Sequence, residues 1–155
     1  LEGVGVASLD VENMYNNMSY QLGRGACQEF LQSRNQLGDT DESNVTSNSI
    51  LEALDLCLQN NFFQFNGQIY QQKGGVGTGI KLAPPYACIG MGKFEQMVFD
   101  SNDELLEKIL LWKRFIDDIL LLFNGTREEC QTLVDWLNSL MPGVIRLTFN
   151  IQQNR

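Results

Sequence analysis

The sequence has 155 residues, with 19 acidic side chains, 11 basic side chains and no histidine, which gives a formal net charge of −8. Its length and its 43% hydrophobic content predict one globular domain rather than a disordered chain. The acidity argues against a protein that binds nucleic acid through overall basicity. The missing histidine excludes Ser-His-Asp and Cys-His catalysis within this chain, and any metal site that contains histidine.

The charge is unevenly distributed along the chain. Residues 1–55 carry nine acids and two bases, whereas residues 56–94 carry three lysines and no acid. Charge alone indicates only an uneven surface, and a surface that faces nucleic acid needs support from motifs. The four cysteines form no Cys-x-x-Cys pair, which favours reduced thiols over a zinc site and predicts an intracellular protein, nuclear, cytoplasmic or both. No apolar run approaches the ~20 residues of a membrane span, so no membrane partner is expected.

Alternating hydrophobic patterns and turn signals predict both strands and helices in the first half of the chain. The predicted elements are a strand over Val4–Leu9 that ends in Asp10, a helix from Ser19 to about Gln32, a polar loop over Arg34–Ser49, a helix from a capping box at Ser49–Glu52 to about Asn60, and a hairpin over Phe63–Tyr70. Asn66-Gly67 predicts the hairpin turn, because both turn residues need positive φ. Ile50, Leu54 and Leu58 are expected on one face of the second helix.

The second half opens with an irregular glycine-rich segment, Gly74–Gly79, and Pro84 suits the first turn of the helix after it. The predicted elements are that helix to about Phe99, a short helix near Asp103–Lys108, strands over Leu110–Ile116 and Ile119–Phe123, a helix from the capping box Thr126–Glu129 to about Leu140, and a strand over Ile145–Ile151. The expected helix core is Phe94, Met97, Val98, Leu133, Trp136, Leu137 and Leu140, and Leu120–Phe123 is expected to be buried on both faces. Together these elements predict an α+β fold, a mostly antiparallel sheet with helices packed on one face.

Asp117 and Asp118 are adjacent acids between two strongly apolar strands. One interpretation is a solvent-exposed hairpin turn, where Asp is common. The other is a divalent cation site, because carboxylates near a core repel one another and lose hydration unless a cation offsets their charge. Mg²⁺ prefers such oxygen ligands and binds through one or two carboxylates plus substrate phosphates.

Asp10 ends an apolar strand and alone is typical of a strand end or helix cap. If its strand lies beside the Asp117-Asp118 hairpin in one sheet, the three carboxylates form a cluster. Two metal ions ~3.5–4 Å apart at such a cluster could activate an attacking hydroxyl and stabilise the leaving oxygen, which is the chemistry of phosphoryl transfer.

Several segments resemble, in order, the palm motifs of a reverse transcriptase, most closely those of Penelope-like retroelements. Ser8–Met18, with the sequence SLDVENMYNNM, resembles the first catalytic motif LDVxxLYTNIP, although Ser19 stands where the family usually has Pro. Trp112–Asp118, with the sequence WKRFIDD, matches the W-x-R-[YF]-x-D-D motif. Three further matches are weaker. Phe63–Gln72 resembles the hairpin that precedes the second motif, and Ile145–Thr148 resembles an IKFT strand. The second motif, GxxMGxxLSP, is matched by Gly75, Gly79, Leu82 and Pro84, but Thr78 replaces its Met and Ala83 its Ser.

The resemblance implies a two-metal site for nucleotidyl transfer from a dNTP to a primer 3′-OH. Asp10 and Asp117 would hold two Mg²⁺ ions, which Mn²⁺ could replace, with the Val11 carbonyl assisting and Asp118 close by. The resemblance implies three sets of contacts to the reactants. Tyr15 would be the aromatic gate against a ribose 2′-OH. The nucleotide and template pocket would contain Thr78, Gly79 and Lys81, and the primer end would lie near Phe115 and Ile116.

The resemblance also implies the domain organisation and the partners. Residues 1–155 would be the palm with part of the fingers of an RNA-directed DNA polymerase, with the full fingers, the thumb and any endonuclease domain outside them. The implied partners are an RNA or DNA template with primer, and dNTPs. The isolated chain is expected to polymerise weakly or not at all, and its oligomeric state is not predicted.

Two other functions stay open at this point. A degenerate or domesticated palm could serve as a binding or scaffold module, which Thr78 and Ala83 favour and the intact carboxylates disfavour. Another palm polymerase, such as an RNA-dependent RNA polymerase, is disfavoured by Tyr15, because a ribonucleotide user needs a smaller or hydrogen-bonding residue there.

Overall fold

A computed structural model describes residues 4–36 and 45–153, without the side chains of residues 35–36 and 151–153. The described chain forms six strands, five α-helices and one 3₁₀-helix. In chain order these are β1 (Val4–Val11), α1 (Met14–Asn17), α2 (Tyr20–Gln36), α3 (Ser47–Gln59), β2 (Phe62–Phe65), β3 (Gln68–Gln71), α4 (Ala83–Asp100), the 3₁₀-helix (Glu104–Lys108), β4 (Ile109–Phe115), β5 (Asp118–Asn124), α5 (Arg127–Leu140) and β6 (Leu147–Gln153).

The chain divides into two compact units. The first, the sheet unit, comprises Leu1–Met14 and Phe94–Arg155, and the second, the helical unit, comprises Tyr15–Lys93. In the sheet unit, β1, β4, β5 and β6 form one sheet in the order β4-β5-β1-β6, with every neighbouring pair antiparallel. The predicted antiparallel α+β architecture is therefore confirmed.

One face of this sheet is buried and the other faces solvent. Along β1, Ala7, Leu9 and Val11 are buried, whereas the residues between them are exposed, as a period of two requires. The buried face is covered by the end of α4 and by α5, whose side chains Phe94, Val98, Leu133 and Leu137 are fully buried.

Strand β5 departs from the prediction that Leu120–Phe123 is buried on both faces. Leu121 and Phe123 are buried, but Leu120 is 45% exposed and Leu122 is half-buried. The prediction was wrong because an uninterrupted apolar run reads like a strand covered on both sides, whereas helices cover only one face of this sheet. Met97 of the expected helix core is likewise exposed.

The helical unit contains residues 15–17 of α1, the whole of α2 and α3, the β2–β3 hairpin and residues 83–93 of α4. Tyr86 is fully buried here, and its hydroxyl donates to the carbonyls of Ser19 (3.2 Å) and Tyr20 (3.4 Å). Burial raises the pKa of Tyr86 to about 12. Helices α2 and α3 are joined by the ion pair between Arg24 Nε and Asp55 Oδ1, at 2.9 Å.

The predicted hairpin is confirmed, and its Asn66-Gly67 turn has φ of 48° and 75° as a type I′ turn requires. The predicted capping box at Ser49–Glu52 is wrong. Thr46 is the N-cap of α3, and its side chain accepts from the Ser49 N–H. Leu51 and Leu54 form the buried face of α3, while Ile50 is exposed. The core of the predicted loop over Arg34–Ser49, residues 37–44, lies outside the described residues.

The second predicted capping box is confirmed, because Thr126 and Glu129 satisfy each other's backbone N–H groups at the start of α5. Strand β6 begins at Leu147 rather than at Ile145, which is buried just before it. Within residues 4–36 and 45–153, no helix is both long and apolar enough to cross a membrane.

Candidate functional site

Asp10 and Asp118 lie directly opposite each other on the two central strands. Strand β1 pairs with β5 so that Leu9 faces Ile119 and Asp10 faces Asp118. The pairs of buried residues favour this register, since a slip of one strand by one residue would turn its apolar side chains towards solvent. On the other side of β1, Asp10 pairs with Thr148 of β6. The exposed face of the sheet therefore presents two carboxylates side by side.

Asp117 lies in the turn that joins β4 to β5. The sequence placed both acids in this turn, but Phe115 pairs with Asp118, so the two turn residues are Ile116 and Asp117. Ile116 has φ of +58°, which a first turn position requires and which is unfavourable for a β-branched side chain. The Asp117 carbonyl accepts a hydrogen bond from the Val11 N–H at 3.2 Å. Strand β1 thus supports the turn directly beyond Asp10.

The carboxylates repel one another. Partial loss of hydration raises the pKa of Asp10 above its ordinary value, and the charges of Asp117, Asp118 and Glu12 raise it further. Each carboxylate makes the ionised form of Asp10 less favourable, and a bound cation would reverse that effect. The carboxylate oxygens of Asp10, Asp117 and Asp118 are therefore suitable ligands for a hard divalent cation.

Proximity of these acids does not amount to a preformed cage. Among the described residues, no group of three or more His, Cys, Asp or Glu side chains is arranged to hold a metal ion. Mg²⁺ needs no such cage, because it usually keeps several waters and binds through one or two carboxylates together with substrate phosphates. Asp10 and Asp117, with the Val11 carbonyl, could supply that smaller set.

Phe115 and Ile116 adjoin the carboxylates. Phe115 pairs with Asp118 across the strands, and its side chain is 76% exposed, so an apolar ring stands in solvent beside the acids. Such a ring can stack against a base or a sugar. Ile116 is half-buried.

The other predicted contact residues belong to the helical unit. Tyr15 begins this unit in α1, and its carbonyl accepts the Val76 N–H at 2.8 Å. Gly75 has φ of +68°, and a Cβ there would lie 2.5 Å from the Tyr15 carbonyl oxygen. Only glycine allows this close backbone approach. The structure therefore joins Tyr15 to the glycine-rich segment.

Thr78, Gly79 and Lys81 are exposed at the end of that segment. Thr78 lines an open cleft of about 730 Å³ together with Asn16, Phe63, Lys73 and other residues of the helical unit. The contact of these residues with nucleotide or template stays a prediction.

Glu95, which was not predicted from the sequence, links α4 to β4. Glu95 accepts from Trp112 Nε1 at 2.8 Å and from Arg114 through two parallel hydrogen bonds of 2.9 Å. A signal was present, because Trp112 and Arg114 are two residues apart and so share one face of β4. An arginine on a face that helices cover needs an acidic partner.

Of three comparisons with known proteins, the one with solved structures places the fold. No protein-family model matches the sequence, and no curated protein matches it. Solved structures of telomerase from Candida tropicalis match nearly the whole chain. The apo form truncated from the C-terminal domain has a TM-score of 0.65 at 16% identity, covering 100% of this chain and 32% of that one. Another apo form has a TM-score of 0.70 at 14% identity, covering 99% of this chain and 29% of that one. The complex with the TWJ fragment of telomeric RNA has a TM-score of 0.72 at 13% identity, covering 96% of this chain and 26% of that one.

The chain spans about a third or less of the length of these telomerases. Identities of this size establish the fold alone. Telomerase is a reverse transcriptase, so this chain has a reverse-transcriptase-like α+β fold.

Proposed function

We propose that the chain is the palm region of an RNA-directed DNA polymerase of the Penelope-like kind, whose motifs it resembles. One observation carries the proposal: Asp10 and Asp118 face each other on the central strands of a reverse-transcriptase-like sheet, with Asp117 in the adjoining turn. Two separate motifs thus contribute three acids to one end of one sheet, which supports the proposal.

The reaction would be nucleotidyl transfer from a dNTP to a primer 3′-OH. Asp10 and Asp117, with the Val11 carbonyl, would hold two Mg²⁺ ions, or Mn²⁺ in their place, and Asp118 would add negative charge beside them. When bound, such ions activate the attacking hydroxyl and stabilise the leaving oxygen. The pairing of β1 with β5 holds these negative charges close together despite their repulsion, so that they can bind the cations.

The remaining predicted residues would bind the other reactants. Phe115 and Ile116 would contact the primer end, Tyr15 would exclude a ribose 2′-OH, and Thr78, Gly79 and Lys81 would contact nucleotide and template. One of the telomerases of similar fold is in complex with a telomeric RNA fragment. That similarity supports nucleic acid as a partner of this chain, and we propose that the partner is a primed RNA or DNA template.

Primer extension by the longest natural reading frame that contains these residues tests the proposal. With Mg²⁺ and dNTPs, we expect extension that Asp117→Asn reduces by at least about 100-fold, because a lost metal ligand removes several kcal/mol of transition-state stabilisation. Asp135→Asn is the matched control, since Asp135 is an exposed acid on α5 of the same unit.

The same assay separates the alternatives. Full activity of Asp117→Asn would overturn the site. Extension with rNTPs in preference to dNTPs would indicate an RNA polymerase. A wild-type protein that extends no primer, yet binds template RNA, would indicate a non-catalytic palm.

A further inference from the structure

Glu95 forms one end of a chain of hydrogen bonds that reaches the Asp117 turn. It lies on α4 within the sheet unit, on the side of the sheet that the helices cover. Its Oε1 accepts from Trp112 Nε1 (2.8 Å) and Arg114 Nε (2.9 Å), and its Oε2 accepts from Arg114 Nη2 (2.9 Å). Both carboxylate oxygens are therefore engaged, and the Arg114 guanidinium is held in one plane.

The other end of this chain is the backbone of the turn. Arg114 Nη1 donates to the Ile116 carbonyl at 3.1 Å. Ile116 is the residue with φ of +58°, so the carbonyl that Arg114 holds belongs to the strained position. The next carbonyl, that of Asp117, accepts from the Val11 N–H. The turn is thus fixed from β4 by Arg114 and from β1 by Val11.

The network is rigid because it is shielded and packed. The side chains of Arg114 and Glu95 are only 14% and 19% exposed, so water competes weakly for their hydrogen bonds. Trp112 packs edge-on against Phe99 of α4, with 5.7 Å between ring centroids. A lysine could not replace Arg114, because a single ammonium cannot bind a carboxylate in the bidentate way and also reach a carbonyl.

We propose that Glu95 is a positioning residue for the candidate polymerase site. Through Arg114 it fixes the backbone of the Ile116–Asp117 turn, and the turn fixes the orientation of the Asp117 carboxylate beside Asp10. This inference rests on the proposed function for its effect on catalysis, but its effect on the turn can be measured independently. The two Asp residues supply the charge, and Glu95 on the opposite face of the sheet determines where one of them points.

The test compares Glu95→Gln with wild type in the full-length protein by two measurements. The first is primer extension, from which kcat and the KM for dNTP are obtained separately. The second is hydrogen exchange of the Val11 amide, which reports the turn because its acceptor is the Asp117 carbonyl. Glu29→Gln is the matched control, because it removes the more exposed ion pair with Lys93 in the helical unit.

For Glu95→Gln we expect a fall in kcat of about 10- to 100-fold, as is typical when a residue that orients a metal ligand is lost. The KM for dNTP should match that of the control, and Val11 should exchange faster. The melting temperature should fall somewhat more than in the control, because the Arg114–Glu95 pair is less exposed than the Lys93–Glu29 pair. Trp112→Phe should show a smaller loss in kcat, because it removes one hydrogen bond and keeps the contact with Phe99.

Each other outcome is decisive. Wild-type kcat with unchanged Val11 exchange would overturn the inference. A fall in kcat together with a general loss of stability, in which the Val11 amide is accelerated no more than the other amides of the sheet, would show that Glu95 is merely structural. If the wild type itself extends no primer, the proposed function fails, and faster Val11 exchange in Glu95→Gln still supports the role of Glu95 in holding the turn.

Discussion

Ile116 occupies a backbone conformation that few residues of its kind adopt. A left-handed conformation costs an L-residue roughly 1–2 kcal/mol, and a glycine in this turn would avoid most of that cost. The structure offsets it with hydrogen bonds to the two successive turn carbonyls, from Arg114 and from Val11. Strain maintained by its surroundings is typical of functional sites, and here it lies next to Asp117.

The ion pair of Asp55 gives a pH-dependent prediction at the same scale. A hydrogen bond from Arg24 lowers the pKa of Asp55, and one from Tyr20 lowers it further. A carboxyl whose pKa is lower in the folded state stabilises the fold above its unfolded pKa, and this stability is lost as the pH falls through the folded pKa. We therefore expect Asp55→Asn to lower the melting temperature at pH 7. The difference in melting temperature between the variant and wild type should decrease at acidic pH, where Asp55 is protonated in the wild type as well.

Thermal unfolding between pH 7 and pH 2.5 provides the measurement. Asp135→Asn is the control, because Asp135 is an exposed acid that accepts from the neutral Gln131. A gap between Asp55→Asn and wild type that stayed constant across this range would contradict the assigned cause.

At the scale of elements, the packing of α2 depends on one of its two glycines. A Cβ at Gly23 would overlap the buried ring of Tyr86, whereas a Cβ at Gly25 would meet no atom within 4 Å. In the sequence, both glycines are equally unfavourable residues for a helix interior. Helix propensity therefore treats them alike, and the tertiary contact distinguishes them.

We expect Gly23→Ala to destabilise the fold by about 1–3 kcal/mol, because Tyr86 is packed on all sides and cannot yield without losing its hydrogen bonds to Ser19 and Tyr20. Gly25→Ala in the same helix should instead stabilise it by about 0.5–1 kcal/mol. Urea unfolding of the two variants measures both effects. Equal stability of the two alanine variants would show that Tyr86 can move aside.

At the scale of the whole molecule, the acidic side chains are distributed unevenly and are absent from one exposed apolar hairpin. The acid-free segment of residues 56–94 contains the β2–β3 hairpin, in which every strand residue is exposed. Phe63 and Tyr70 stack across the two strands with 5.5 Å between centroids, and Ile69 is 76% exposed. Exposed apolar strands are prone to association. All 19 acids lie outside residues 56–94, and the charge next to the hairpin is Lys73, two residues beyond its second strand.

Ile69→Thr should therefore reduce concentration-dependent self-association while leaving the melting temperature nearly unchanged, because the side chain is exposed and threonine suits a strand. Light scattering over a concentration series measures the change. Gln64 is the cross-strand partner of Ile69, so Gln64→Thr is a control at the same place in the hairpin. An equal reduction in both variants would attribute the effect to the hairpin backbone rather than to apolar exposure.

The sequence by itself determined the kind and order of most elements. The Asn66-Gly67 turn, the Thr126–Glu129 capping box and the alternation of Leu147 with polar neighbours act over a few residues, so local patterns predict them. The α3 cap was missed because Thr46 and Ser49 both suit an N-cap, and local sequence does not choose between them.

Only the tertiary structure decided how the candidate site is assembled. Strand β1 lies between β5 and β6, which places Asp10 opposite Asp118, and Glu95 of α4 meets Arg114 of β4. These pairs join residues far apart in sequence, and many registers would satisfy the period-two pattern of each strand alone. The observed register buries Leu9, Ile119 and their neighbours together beneath the helices, whereas a slip of one strand by one residue would expose its apolar side chains, and the positions of the carboxylates follow from that register.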